Sequence, residues 1–369
     1  MAKFRDHYFE RETTVADAAT KIIDLNVKDP ISYITVEYEA TTGATSCKEH
    51  EIHDDIESIE IMDGADVICS LDMQQWRALN FYENKKLPHA VLNENPGVAQ
   101  EERCAMQFGR FKDDMEFYLD PSKYRNPQIR LKHSLDVSAT AGYATGTGKI
   151  TVMGRLIEEG AQPYKGYLMA KEVVPITVSA AGIEVINLPR DFPYRALLIQ
   201  ARYTLLRPDE VISRLKLSCD ADREIPFDMY MEDLMDMNEQ RFGLAEQMKD
   251  IWTKNDDTVL TDIYDVRKAY LYNVIDKHIG AVEALDAEKV TIGLYTLSVP
   301  TAPAVISSEI ACKLAVEGIG PHGIMCVPFG DMNEEDSWFD PRLYGDVELK
   351  LTKATTTGAV SVMLQQLRI

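Results

Sequence analysis

The sequence predicts an all-β chain in which one sandwich domain is built twice and helices are inserted between strands. Three observations predict it. Apolar and polar residues alternate strictly through most of the chain, turn residues punctuate the alternating runs, and a motif of the first half recurs in the second half in nearly constant register.

Ile34, Val36 and Tyr38 share one face of the first clear strand, with Thr35, Glu37 and Glu39 on the other. Ile59 and Ile61 lead to Asp63-Gly64, a pair that tolerates positive φ, and Val67, Cys69 and Leu71 resume the pattern, which predicts a hairpin. Asp72 is a candidate N-cap for a helix carrying Met73, Trp76, Leu79 and Tyr82 and ending before Pro88. Ile129, Leu131, Leu135 and Val137 mark a further strand, and Ile150 and Val152 start another after the loop Gly142 to Gly148. Beyond a punctuated stretch with Gly160, Pro163 and Gly166, alternation returns around Ile176, Leu197 to Leu205, Leu215, Ile310 to Val316, Val347 to Leu351 and Val360 to Leu364. From Asp228 to about Leu285 the spacing is helical, first through Met231, Leu234, Asn238, Phe242, Ala245, Met248 and Trp252, then through Val266, Tyr270, Val274 and Ala281. Met229, Met231, Met235 and Met237 are read as adaptable core packing.

The repeat joins Phe108-Gly109, Leu119-Asp120-Pro121, Tyr124 and Ile129-Arg130-Leu131 to Phe329-Gly330, Phe339-Asp340-Pro341, Tyr344 and Leu349-Lys350-Leu351, at offsets of 220 or 221 residues. A period this long means two copies of a whole domain, not a solenoid. Short strands with long loops point to jelly rolls. The expected organisation is an N-terminal arm (1–16), a first jelly roll (17–157), a linker (158–172) and a second jelly roll (173–369) carrying the largest helical insertion at about 228–285.

Composition narrows the function. The 369 residues carry 60 Asp and Glu against 39 Lys and Arg, a net charge of −21 that repels phosphate backbones and argues against direct nucleic-acid binding. Six cysteines without a C-x-x-C pair suggest thiols in a reducing compartment, and neither a secretion signal nor an 18-residue apolar run is evident. GYATGTGK at 142–149 lacks the P-loop spacing and precedes a strand, so it is read as an interstrand loop. His50, His53, Asp54 and Asp55 form the densest group of potential metal ligands, but H-x-x-H without a helix or a distant third ligand is weakly specific, and a solvated loop is the preferred reading. G-x-S-x-G is absent and no carboxylate pair stands out, so no catalytic residue, cofactor or metal is assigned.

Met62 to Leu71 leading into the Trp76 helix, Phe108-Gly-Arg-Phe111, Leu119 to Tyr124, Asn126 to Leu131, Phe339-Asp-Pro341, Tyr344 to Leu351 and Val362 to Arg368 together resemble the double jelly-roll major capsid proteins of tailless, membrane-containing icosahedral bacteriophages, the group of tectiviruses, corticoviruses, finnlakeviruses and autolykiviruses. The resemblance implies a non-enzymatic structural protein, made in the host cytoplasm. It would form a pseudo-hexagonal homotrimer that tiles a virion shell beside neighbouring capsomers, minor capsid and penton proteins and an internal lipid membrane. By analogy Lys3, Phe4, Arg5, Tyr8 and Phe9 become candidates for inner-face contact with that membrane, and 228–285 for an outer decoration or intersubunit brace. The alternative is a β-sandwich surface or spike protein that binds a receptor or glycan; a two-domain β glycosidase is the enzymatic rival.

Overall fold

The computed structural model describes residues 2–48, 50–138, 141–178, 182–203, 206–253, 258–273, 291–292, 295–296, 310–354 and 358–369. The first half runs β1 (Lys3–Thr14), β2 (Ala18–Asp24), β3 (Ile31–Thr41), β4 (Ile56–Asp63), β5 (Asp66–Leu71), helix α1 (Met73–Asn84), β6 (Ala90–Asn93), β7 (Ala99–Gln107), β8 (Pro127–Ser134) and β9 (Lys149–Glu159). The second begins with β10 (Tyr167–Val178), β11 (Gly182–Asn187), β12 (Tyr194–Arg202), the single turn α2 (Pro208–Val211), β13 (Ile212–Cys219), β14 (Glu224–Tyr230) and helix α3 (Met231–Phe242). It continues through β15 (Ala245–Thr253), β16 (Thr258–Val259), β17 (Ile263–Asn273), β18 (Thr291–Ile292), β19 (Tyr295–Thr296), β20 (Ile310–Pro321), β21 (Ile324–Pro328), β22 (Val347–Lys353) and β23 (Gly358–Arg368).

The two halves repeat strand for strand. The order β1-β9-β3-β7 in the first matches β10-β23-β12-β21 in the second, and β2-β8-β4-β5 matches β11-β22-β13-β14. In each half the alternating apolar side chains of the two sheets meet in one core. Ile34, Val36, Ile59, Ile61, Ile129, Leu131, Ile150 and Val152 fill the first. Leu197, Ile199, Leu215, Leu217, Leu349, Leu351, Val360 and Val362 fill the second.

The recurring motif makes the same bonds twice. Phe108 N donates to Ser32 O at 3.1 Å and Phe329 N to Arg195 O at 3.0 Å; Ile31 N donates to Leu119 O and Tyr194 N to Phe339 O, both at 2.8 Å. Asp120 and Asp340 each begin a 3-10 turn, accepting a backbone bond from Ser122 N at 3.0 Å and Arg342 N at 3.1 Å, with proline next in line to fix φ. The glycine of each Phe-Gly pair is required by close approach. A Cβ on Gly109 would lie 2.5 Å from Asp114 Cβ, and one on Gly330, at φ +66°, 2.4 Å from Ser337 O. The helices repeat as well. Asn80 of α1 clamps Ala105 of β7 through Nδ2 to the carbonyl at 2.6 Å and Oδ1 from the amide at 2.7 Å. Asn238 of α3 does the same to Cys326 of β21 at 2.8 and 2.9 Å.

Local expectations hold where the chemistry is local. The hairpin β4-β5 forms with Gly64 at φ +62°, and α1 starts at Asp72 in a capping box with Gln75. Met231 and Met235 are fully buried, whereas Met237 is exposed.

Four expectations are corrected. Residues 1–16, expected as an arm, contain β1, which pairs along β9. The expected linker 158–172 already contains the start of β10 at Tyr167. β8 ends at Ser134, leaving Val137 outside it and exposed. Among the described residues the helical reading of 228–285 holds only for Met231–Phe242, which is the counterpart of α1 and not an addition to the fold. Met248 and Trp252 lie on β15, and Val266 and Tyr270 on β17, while Val274 and Ala281 lie outside the described residues. The alternation of β15 is hidden because two of its buried positions are Gln247 and Lys249, and that of β17 is broken by a register shift between Val266 and Lys268.

Gly330→Ala is expected to lower stability by about 1–3 kcal/mol, through strain at positive φ and collision with Ser337. Gly64→Ala, at similar φ but with nothing within 4 Å of the added carbon, should cost about 1 kcal/mol or less. Chemical denaturation of both variants checks this, and equal losses would contradict the close-approach account.

Candidate functional site

The seam between the two sandwiches gathers buried polar and charged side chains from both halves, so it is the candidate site. Sheets continue across it. Lys171 of β10 pairs in parallel with Ser70 of β5, and Lys249 and Asp250 of β15 pair in parallel with Leu92 and Asn93 of β6. β15, β20 and β17 thereby extend the first sandwich's sheet to eight strands, and the first core takes in Leu198, Phe242, Ile251, Leu314 and Met363 from the second half.

Helix α1 fills the seam. It is buried on every side from Met73 to Tyr82, so its polar residues must find partners there. Tyr82 Oη donates to Ile324 O at 2.5 Å while its ring meets Phe242 edge-on at 4.9 Å between centroids. Gln74 Oε1 accepts from Arg202 Nη1 at 2.5 Å and Gln200 Nε2 at 3.3 Å, both on β12. Glu83, also on α1, meets Arg195 of β12 at 3.0 Å, both fully buried. The same guanidinium donates to Met332 O, Gln365 Oε1 and Arg110 O at 2.7, 2.9 and 2.7 Å, and Gln365 Nε2 returns a bond to Glu83 at 2.7 Å. Burial pushes the Glu83 carboxyl up and the Arg195 guanidinium down against their mutual attraction, the signature of an ion pair held by geometry at a desolvation cost.

A second polar cluster lies in the same seam. Lys249 of β15 bonds Glu51, and Glu94 at 2.8 Å. His53 Nδ1 meets Glu102 Oε2 of β7 at 3.1 Å, and His53 Nε2 faces Asp262 Oδ1 at 3.7 Å. His322, in the turn between β20 and β21, stands edge-on to His53 with ring centroids 4.7 Å apart, and Arg77 Nε of α1 donates to its Nε2 at 3.4 Å. Burial disfavours a charge on His53, yet Asp262 and Glu102 overcome it and raise the ring to about 10. Burial, with His53 and Arg77 alongside, drives His322 well below the usual histidine range.

The four ligand candidates of the 50–55 loop are thus dispersed. His50 pairs with Asp136 at 2.7 Å, Asp55 accepts from Asp136 N at 3.0 Å, and His53 enters the cluster, while Asp54 bonds Gln74 and faces Arg202 with its Oδ1 3.9 Å from His53 Nε2 at the cluster's rim. Its partners Asp262 and His322 are more than 200 residues away and had no local signal. The 142–149 loop is tied down structurally, with Thr145 Oγ1 and Gly146 N both donating to the Asp17 carboxylate at 2.6 Å.

The five inner-face candidates all lie on β1. Lys3 and Arg5 are already paired with Glu158, at 2.9 and 2.8 Å, and Arg5 also with Asp29 at 3.0 Å. Phe4 has the Arg155 guanidinium 5.0 Å from its ring, Phe9 lies over Gly154, and Tyr8 is 49% exposed. Among the described residues no helix is long and apolar enough to cross a membrane.

This arrangement of two equivalent eight-stranded sandwiches is the double jelly-roll fold. The chain is similar over 99% of its length to the major capsid protein of Sulfolobus turreted icosahedral virus, with a TM-score of 0.59, 8% identity and 97% of that chain covered. It is similar to the PBCV-1 virus capsid protein at a TM-score of 0.59 and 10% identity, covering 99% of this chain and 93% of the other. Against the major capsid protein P2 from bacteriophage PM2 the values are 0.55 and 9%, with 100% and 98% covered. At these identities the likeness is one of fold. No protein-family model and no curated protein matches the sequence.

Removing one partner of the Arg195–Glu83 pair leaves a buried charge, so Arg195→Met alone is expected to cost about 3–5 kcal/mol. Combined with Glu83→Met, much of that loss should return. A double-mutant cycle by urea unfolding measures the coupling, and strictly additive losses would show that the pair does not act as a unit.

Proposed function

We propose that the chain is a structural capsid protein whose homotrimer is the building block of an icosahedral virion shell. The observation that carries this reading is the strand-for-strand repeat of two sandwiches joined through a sealed, bonded seam. A threefold assembly of such chains sets six sandwich units about one axis, so a trimer fits a sixfold lattice position and tiles with a single set of interfaces. The seam matters because a capsomer whose halves moved independently could not hold those interfaces in register. The three solved proteins above, each named as a capsid protein, support the reading through their shared fold.

Its partners on this reading are other copies of itself, neighbouring capsomers, and the minor and penton proteins of the shell; no catalytic step is assigned. Synthesis in the host cytoplasm accords with the buried thiols of all six cysteines. Contact of the β1 edge with an internal membrane belongs to the same proposal. Tyr8 is its most available apolar group, since Lys3 and Arg5 are paired internally.

Purified protein should sediment at three times the 41.6 kDa chain mass and show hexagonal outlines in electron micrographs. A stable monomer at high concentration that also gives specific hits on a glycan array would reject the capsomer in favour of a receptor-binding module.

A further inference from the structure

The second polar cluster of the seam is out of electrical balance. Glu51, Glu94, Glu102 and Asp262 are all buried, and the permanent cations sealed with them are Arg77 and Lys249. Four carboxylates against two permanent cations leave two negative charges, of which a protonated His53 offsets one, so that one stays uncompensated in a setting where that is costly. At the rim Asp54 and Arg202, both partly exposed, face each other at 3.6 Å and offset one another. One oxygen each of Glu51 and Glu102 has no hydrogen-bond partner among the described residues.

At the centre of this excess stand two imidazoles and a carboxylate. Ligand atoms of His53, Asp262 and His322 all lie within 4.8 Å of one another, and all three residues are buried. The outer atoms of His53 and Asp262 are already oriented. Glu102 holds His53 by Nδ1, which directs Nε2 at Asp262, and Gln247 Nε2 donates to Asp262 Oδ2 at 2.6 Å, which leaves Oδ1 facing inward. A carboxylate behind a histidine and an amide behind an aspartate are the outer contacts that fix metal ligands. His322 is held in a left-handed conformation, φ +54°, between Gly320 and Gly323, by its own N donating to Asp262 O at 2.5 Å and Gln200 Nε2 donating to its carbonyl at 3.1 Å.

We propose that His53, Asp262 and His322 form a binding site for one divalent transition-metal ion, Zn²⁺ by the chemistry of the donors, which fastens the β20-β21 turn of the second half to the first sandwich. Two imidazoles and one carboxylate are a zinc donor set, with water in the fourth position. Bonds of about 2.0–2.1 Å place tetrahedral ligands roughly 3.3–3.5 Å apart. The His53–Asp262 separation of 3.7 Å is close to that, and the widest pair, within 4.8 Å, closes by up to about 1.5 Å of side-chain rotation. The ion takes the His322 Nε2 lone pair from Arg77, which keeps Glu102 at 3.5 Å and the carbonyl of Arg103 at 2.8 Å. A dication that displaces the His53 proton cancels the excess of two charges that the deprotonated site carries. The site stands apart from the capsid reading, since a double sandwich of any function gains the same fastening.

The test uses the full chain stripped with a chelator and titrated calorimetrically with Zn²⁺ alone, with Co²⁺ as the spectroscopic substitute. One equivalent should bind with saturation, Co²⁺ should give the intense visible bands of a tetrahedral site, and the melting temperature should rise by a few degrees. Asp262→Asn and His322→Asn, the latter chosen because asparagine accepts the left-handed turn, should each weaken binding by about 100-fold or more and abolish the thermal shift. Absence of one-equivalent binding, or binding and thermal shift unchanged in both variants, would overturn the proposal. Should the variants fail to fold, X-ray absorption of the wild-type Zn²⁺ complex decides: two imidazoles with oxygen support it, and an all-oxygen or sulfur shell rejects it.

Discussion

Every larger feature of this molecule rests on one constraint, that polar groups sealed between the two sandwiches must bond to one another. Helix α1 has no solvent face to which Gln74, Arg77, Asn80 and Glu83 can turn. Each therefore reaches a strand or a loop, and Gln74, Arg77 and Glu83 reach the other half of the chain. Such bonds add modest net stability, because desolvation offsets most of the attraction. They forbid alternatives strongly, since a shifted seam would strand charges in an apolar interior. The result is orientation, which an apolar interface alone specifies less sharply.

Orientation is what a duplicated sandwich needs if it is to serve in a shell. The repeat supplies two equivalent blocks, and the seam fixes their relation, as the proposed trimer would require to present six of them. Duplication alone does not make the halves interchangeable. The second copy carries β15, β17 and β20 between α3 and β21, where the first has only the short β6 before β7, and those strands dock on the first copy's sheet. The departure from symmetry therefore lies where the halves are joined.

Much of the fold is legible in the residues because its causes are local or repeated. Asp72 with Gln75 is a capping box wherever it occurs, and Asp63-Gly64 between alternating runs closes a hairpin. The paired Asp-Pro turns reveal the duplication because the same local bonds recur in both copies. Strands β15 and β17 were not legible. Lys249 faces inward only because Glu51 and Glu94 are there to receive it, and a lysine without that knowledge reads as a solvent residue. The site at His53 fails for the same reason: the H-x-x-H spacing drew attention to His50, whose ring goes to Asp136, while Asp262 and His322, which face His53, lie more than 200 residues along the chain.

By itself, the sequence determined the all-β class, the double copy, the ends of the first helix and the acidic surface charge, because alternation, capping and turn chemistry act within a few residues and carry their own signal. Only the tertiary structure decided that 245–253 and 263–273 are strands, that the N-terminal segment pairs with β9, and that His53 faces Asp262 and His322. In those places a polar side chain is inside or a segment is extended on account of a partner tens to hundreds of residues away, and no periodicity records a partner at that distance.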